Sequence, residues 1–172
     1  MSGAGFEYLC SGDLIATKMK NSISISEYIQ NVLQTSKLAV LATEGEGQPY
    51  ASLIVITPVS DFKQMIFATY RNTRKFENLL NNGRVAVLIQ GEESDMSFKQ
   101  SDYALTAFGH AQQVCKADYE EALQKHLKRH PDQANYMLNA DLALMLITIE
   151  KFQVVRGFDD VSWWSVDDSR IL

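Results

Sequence analysis

Three basic residues stand close together in Thr69-Tyr70-Arg71-Asn72-Thr73-Arg74-Lys75-Phe76-Glu77-Asn78-Leu79, where a short apolar run gives way to helical spacing. A helix N-terminus carries partial positive charge from its unpaired N–H groups, so its first turn favours Asp and Glu over Lys and Arg. Arg74 and Lys75 fall in that turn, and Arg71 just before it. An anion would resolve the conflict. The hydroxyls of Thr69 and Thr73, the first helical N–H groups and the two cations can converge on one phosphate. Without a ligand, the same residues give a solvated helix start in which Thr73 caps and the cations point outward.

The other residues with chemical potential carry weaker signals. His126 and His130 have i, i+4 spacing, but Leu127 follows His126, so the H-E-x-x-H metal motif is absent. Two histidines in a helix's last turns complement its dipole when protonated, and that is the preferred reading of the pair. His110 beside Gly109 is the histidine better placed to face a ligand, although a satisfied sheet residue is the simpler reading. Cys10 and Cys115 form no metal or redox spacing and read as reduced, incidental thiols. Glu92-Glu93-Asp95, Asp159-Asp160 and Asp167-Asp168 lack calcium-loop spacing and read as solvated charge. No metal site is expected, and no catalytic acid or base stands out.

These residues need elements to position them. Residues 1–22 show little periodicity and read as an N-terminal arm, leaving 23–172 as a single domain. Ser24 and Glu27 form a capping box, and Ile25, Tyr28, Ile29, Val32 and Leu33 continue a helix to about Ser36. Strands follow at 37–43 and 48–57, joined by Glu44-Gly45-Glu46-Gly47 and closed by Pro58, with a third strand at 64–69. The helix that opens near Thr73 ends at Asn81-Asn82-Gly83, with Gly83 suited to a left-handed cap. A fourth strand covers 84–90, a polar loop 91–101, and a long fifth strand 102–114 with a bend at Gly109. An amphipathic helix over 116–129 stops at Pro131, a short helical turn follows at 133–138, and 142–158 reads as one or two final strands.

Sequential strands with inserted helices favour an antiparallel barrel over a doubly wound parallel sheet. The expected fold is therefore mainly β (α+β). At 172 residues such a domain buries roughly 70% of the surface its unfolded chain exposes. A net charge of -5 and a pI near 5.2 argue against nucleic acid or an anionic membrane as partner, since both need broad basic faces. The basic character is local: Arg71, Arg74, Lys75 and Arg84 between residues 69 and 84 meet the single acid Glu77. The longest apolar runs are too short to span a bilayer, and the first residues do not form a secretion signal, so a cytoplasmic location is expected.

From Leu41 to Ile89, Gly47 and Pro49 turn the chain into an apolar strand. Phe67, Thr69, Thr73, Arg74 and Lys75 follow in the pattern F-x-T-x-x-x-[ST]-R-K, and Asn82, Arg84, Val85 and Leu88 complete N-x-R-V-x-x-L. This order and spacing resemble the FMN-binding split-barrel family related to pyridoxamine 5′-phosphate oxidase. The resemblance implies a split antiparallel β-barrel with peripheral helices, forming a homodimer with FMN at its interface. It implies phosphate contacts at Thr69, Thr73, Arg74 and Lys75, with Ala68 beside them, and an isoalloxazine along Ser52, Leu53, Ile54 and Val55. The corresponding activity is that of an FMN-dependent oxidoreductase acting on a small molecule. The oxidase itself usually carries Arg at the position of Ser52, Lys at that of Thr57, and an R-x-H motif near its end. This chain ends SWWSVDDSRIL, so oxidation of pyridoxamine phosphate is not expected.

Further along, Arg129-His130-Pro131, Ala134, Asp141, Leu144, Gly157 and Phe158 are similar to a pattern of the haem-utilisation branch of the same fold, with Asp159 in place of that branch's final glycine. The alternative function is thus haem binding or utilisation, or flavin carriage without turnover. Trp163-Trp164 reads as closing a core or an interface, with an indole against a flavin or haem plane as the other use.

Overall fold

The computed structural model describes residues 24–90, 103–156 and 160–166. The expected N-terminal arm, the 91–101 loop with Glu92, Glu93 and Asp95, the Gly157-Phe158-Asp159 turn, and Asp167-Asp168 lie outside the described residues, as does Cys10.

Local signals set the start of the chain. Helix α1 (Ile25–Thr35) opens on the capping box: the Ser24 hydroxyl accepts from the Glu27 N–H, and the Glu27 carboxylate accepts from the Ser24 N–H. Its apolar stripe buries Ile29, Val32 and Leu33 in the core. Strands β1 (Leu38–Gly45) and β2 (Gln48–Val55) form a hairpin whose two turn residues, Glu46 and Gly47, have φ of 55° and 79°. A two-residue hairpin of this twist requires left-handed backbone at both positions.

The run from Gln48 to Thr57 is not one strand closed by Pro58, as its β-branched composition suggests. Ile56, fully buried, breaks it, and Thr57–Val59 forms a separate strand β3 that contains Pro58 and pairs with β4 (Gln64–Tyr70). Proline is tolerated there because β3 is an edge strand. The order across the sheet is β2-β1-β5-β6-β7-β4-β3, with β5 at Arg84–Ile89, β6 at Tyr103–Gln113 and β7 at Leu142–Arg156. Chain neighbours β2 and β3 therefore lie at opposite ends of the sheet and are joined through the single residue Ile56. All pairings are antiparallel, and the sheet curls into a split barrel with a few helices around it.

Residues 142–156 form a single 15-residue strand β7, and a further strand β8 (Asp160–Ser165), which carries no separate signal in the sequence, pairs with its second half. The bend at Gly109 has a register cause. Phe108 pairs with Lys151 and Gly109 with Ile149, so Glu150 is an extra residue on β7. A Cβ on Gly109 would lie 2.0 Å from the Thr148 carbonyl oxygen. At this bulge β7 exchanges β4 for β8 along one edge.

Helix α2 (Arg74–Asn81) does not end on a left-handed glycine: Asn82 caps it in extended conformation, and Gly47 is the only described glycine with positive φ. Gly83 is required for space, since a Cβ there would lie 2.3 Å from the His110 ring. Helix α3 (Tyr119–Arg129), a short 3-10 turn (Pro131–Gln133) and α4 (Ala134–Met137) cover the outer side of β4 and β7. Two cores result. The barrel interior holds residues such as Leu41, Phe67, Val87, Leu105 and Phe152. A smaller cluster of Ile66, Val114, Ala122, Met137, Leu142 and Leu144 lies under α3 and α4.

The opposite outer face has no helix on it among the described residues. Leu53, Val40, Leu88, Thr106, Gln153 and Trp163 are register partners in one row across six strands, and Ala51, Ala42, Ala86, Phe108, Lys151 and Ser165 form the next. Leu53, Leu88 and Trp163 are 63%, 45% and 54% exposed, and Lys151 is the single charged side chain in the two rows. No helix of the described residues is long and apolar enough to cross a membrane.

Candidate functional site

Strand β4 delivers Thr69 to the rim of the barrel, and the chain turns through Arg71 and Asn72 into α2. Alternation along β4 decides which side chains meet. Thr69 points inward with Met65 and Phe67, whereas Ala68 packs against the cluster under α3 and α4. Thr73 is the N-cap of α2: its hydroxyl accepts weakly from the Phe76 N–H at 3.4 Å, donates to the Tyr70 carbonyl at 2.8 Å and lies 3.0 Å from the Thr69 hydroxyl. The Phe76 and Glu77 N–H groups are taken by the Thr73 carbonyl. Among the described residues, nothing accepts from the N–H groups of Arg74 and Lys75, the two foremost orphan donors of the helix.

The cations flank those donors. Arg74 is exposed and Lys75 half-buried, and no described carboxylate forms an ion pair with either. An open cleft of about 510 Å³ runs past Arg71, Thr73, Arg74, Phe76 and Leu80. Arg71 is fixed at its edge. Its guanidinium donates to Gln113 Oε1 at 3.0 Å and lies 5.5 Å from the centre of the Phe76 ring.

The helix is pinned by residues that sequence reasoning passed over. Asn78 is buried and donates to the Thr43 hydroxyl on β1 at 3.0 Å. A Cβ at Gly45 would strike the Asn78 amide at 2.2 Å, so glycine there lets α2 approach the hairpin. At the far end of α2, Asn82 donates to Glu44 at 2.8 Å; this bond, then the Gly47 N–H, holds the Glu44 carboxyl below its ordinary pKa. An asparagine among the apolar positions of α2 was the available signal.

The Ser52 to Val55 segment is divided by strand alternation. Ser52 and Ile54 face the interior, while Leu53 and Val55 face outward. A planar group lying along β2 can therefore meet the side chains of one pair and the backbone of both. The Ser52 hydroxyl is buried with no hydrogen-bond partner among the described residues, a costly state for a polar atom. β2 also packs beside β4, which carries Thr69.

The histidines occupy different positions from those expected. His126 and His130 do not meet solvent as charged complements of the α3 dipole. Both are buried, with His126 between Thr57 Oγ1 at 2.9 Å and Gln133 Oε1 at 3.2 Å, and His130 bonded to the Ile56 carbonyl at 2.9 Å. Burial, above all, holds both imidazoles below their ordinary pKa. Arg129, part of the haem-like pattern, caps the end of α1 instead. His110 is exposed on β6 beside Gly83. The tryptophans alternate: Trp164 packs inward on Phe152 at 5.8 Å, and Trp163 lies outside against Phe108 at 5.6 Å, with the Lys151 ammonium 4.9 Å from its ring. No group of three potential metal ligands occurs among the described residues.

Solved structures share this architecture. A haem-binding protein from Mycobacterium smegmatis superposes with a TM-score of 0.73 at 17% identity, over 85% of this chain and 60% of its own length. The chain thus spans less than two thirds of that protein's length. General Stress Protein 26 from Bacillus anthracis matches with a TM-score of 0.59 at 20% identity, over 82% of this chain and 98% of its own. An FAD-binding protein from Mesorhizobium loti matches with a TM-score of 0.61 at 16% identity, over 79% and 96%. No curated protein matches the sequence. At these identities the likeness establishes the fold, while the family comes from sequence. The family model described as pyridoxamine 5′-phosphate oxidase matches residues 25–156, which include β1 to β7 and the whole α2 corner, and the chain belongs to that family.

Proposed function

We propose that this protein binds FMN and acts as a flavin-dependent oxidoreductase on a small molecule, as a homodimer with the cofactor at its interface. The observation that carries the reading is the start of α2: two N–H groups and two cations with no partner among the described residues lie together with two threonine hydroxyls at the rim of the barrel. That set suits a phosphate dianion, which accepts several charge-assisted hydrogen bonds at once. The unsatisfied Ser52 hydroxyl fits a polar group arriving on β2, and the FAD-binding neighbour supports a flavin on this fold.

FMN, when bound, supplies an isoalloxazine that accepts a hydride or electrons. The chain's own residues hold and shield. Arg74 and Lys75 contribute charge to the phosphate, Thr69 and Thr73 contribute hydroxyls, and β2 contributes backbone groups. The bare face centred on Leu53, Leu88 and Trp163 is suited to a second copy of the chain, because a contiguous apolar surface of this extent is unfavourable in water. Exchanging both Leu53 and Leu88 for Glu is expected to yield monomers in sedimentation, with FMN affinity falling in step.

Haem is the second reading, supported by the haem-binding neighbour. Both His126 and His130 are buried, His126 bonded through both ring nitrogens and His130 through Nε2, which leaves His110 as the exposed imidazole. An absorbance spectrum of freshly purified protein separates the two: flavin bands support the first, and a Soret band on adding haem supports the second. A monomer that binds neither overturns both. Riboflavin titrated beside FMN tests the corner itself. Equal affinity for the two would show that the cations do not hold a phosphate.

A further inference from the structure

The C-terminal end of α3 concentrates polar groups that flavin binding does not use. His126 and His130 lie one helical turn apart with ring centres 5.0 Å from each other. Both reach the Ile56–Thr57 corner, where the two ends of the sheet are joined. Between them in sequence, Arg129 donates to the carbonyls of Leu33, Gln34 and Ser36 at 2.8 to 3.2 Å, which ties the same corner to the end of α1.

The bonds define protonation states. The Ile56 carbonyl can only accept, so His130 donates from Nε2. With Gln133 Oε1 as acceptor, His126 carries its proton on Nε2, and its Nδ1 accepts from the Thr57 hydroxyl. A second proton on His126 would reverse that bond and force the Thr57 hydroxyl to become the acceptor. The surrounding charge opposes protonation as well. Arg129 on α3 and Lys37 after α1 are cations, Asp132 in the 3-10 turn is the single anion facing the pair among the described residues, and β3 contributes only Thr57, Pro58 and Val59.

We propose that His126 and His130 form a proton-sensitive latch: neutral, they fasten α3 to the Ile56–Thr57 corner, and charged, they release it. Burial is the main cause of the lowered pKa of both; at His126 the charge of His130 adds to it while the Gln133 bond and Asp132 oppose, and at His130 Arg129 and Lys37 add to it while the Ile56 bond and Asp132 oppose. The unfolded chain therefore takes up protons near pH 6.5 before the folded protein does. Stability is complete above that value and is lost as pH falls through the window below it. The latch does not depend on the identity of the cofactor.

Thermal unfolding between pH 8 and pH 5 tests the proposal in the wild type and in the double variant His126→Gln, His130→Gln, whose amides can hydrogen-bond but do not titrate. Uptake of two protons raises the unfolded-to-folded ratio by up to about 100-fold per pH unit, and the double variant is expected to lose most of this dependence. An unchanged pH dependence in the double variant overturns the latch. If that variant does not fold, NMR of the wild-type rings and of the β3 amides gives the answer. Imidazoles that stay neutral well below pH 6.5, and charge together with loss of amide protection at Thr57 and Val59, support it. Imidazoles that titrate near 6.5 while β3 stays protected overturn it.

Discussion

The N-terminal corner of α2 and the C-terminal corner of α3 both gather basic residues at a helix end, and they treat them in opposite ways. At α3, Arg129, His126 and His130 are built into the protein: each side chain reaches a carbonyl, hydroxyl or amide of another element. At α2, Arg74 and Lys75 have no ion-pair partner among the described residues and stand beside two N–H groups to which none of those residues is an acceptor. A largely bonded corner, where Arg129 Nε is the one buried polar atom left without a partner among the described residues, contributes to stability and leaves little for a ligand. An unsaturated one contributes little to stability and keeps its donors for something from outside. Charge type alone does not distinguish them; the count of bonds already made does.

The largest test of that contrast is truncation on the saturated side. His126→Ala is expected to lower unfolding free energy by about 3 kcal/mol, because it opens a cavity and strips Thr57 and Gln133 of their partner. Urea unfolding reads this directly, and a loss under about 1 kcal/mol would undo the distinction. On the unsaturated side, Arg74→Ala or Lys75→Ala should each weaken FMN by about 10-fold or more while leaving the urea midpoint almost unchanged. A matching drop in riboflavin affinity would move their role from the phosphate to the ring. Thr73→Ala bridges the two categories, since the same hydroxyl caps α2 and faces the cradle. It should cost about 1 kcal/mol in stability and also weaken FMN. Arg71→Ala is expected to have the smallest effect, within about 0.5 kcal/mol in stability, because its bond to Gln113 is exposed.

The sequence made the α2 corner legible because its signals are local: a strand, a capping threonine and two cations within seven residues. The capping box of α1 was legible for the same reason, being a short-range hydrogen-bonding requirement; the bend at Gly109 was legible from the glycine itself, while its cause, the Thr148 carbonyl and the extra Glu150 on β7, is distant. What could not be read depends on distant partners. The break at Ile56 lies within an unbroken β-branched run, and only the position of β4 shows that Thr57 has changed sides. The His126 and His130 pair matched a charged helix end by spacing, but their burial is decided by Thr57 and Ile56, roughly 70 residues away. Gly83 was expected to serve backbone conformation and instead serves space, set by His110 on another strand. Ser52 shows the same limit, since nothing about a serine in a strand indicates that its hydroxyl will be left without a partner.

The one-residue link at Ile56 also bears on how the chain reaches this state. β2 and β3 are covalent neighbours, yet between them in the sheet lie β1, β5, β6, β7 and β4, drawn from residues 38 to 156. The β1–β5 and β4–β7 pairings each close a long loop before they return any stabilisation. A topology of such high contact order places folding toward the slow end of roughly milliseconds to seconds. The β1–β2 and β3–β4 hairpins have short local turns and can each form early, whereas their places at the two ends of the sheet are set only once β5, β6 and β7 pair between them. The strand proposed to carry the flavin ring is thus joined through one residue to a hairpin at the far end of the sheet, and the long-range pairings between them fix the position of both.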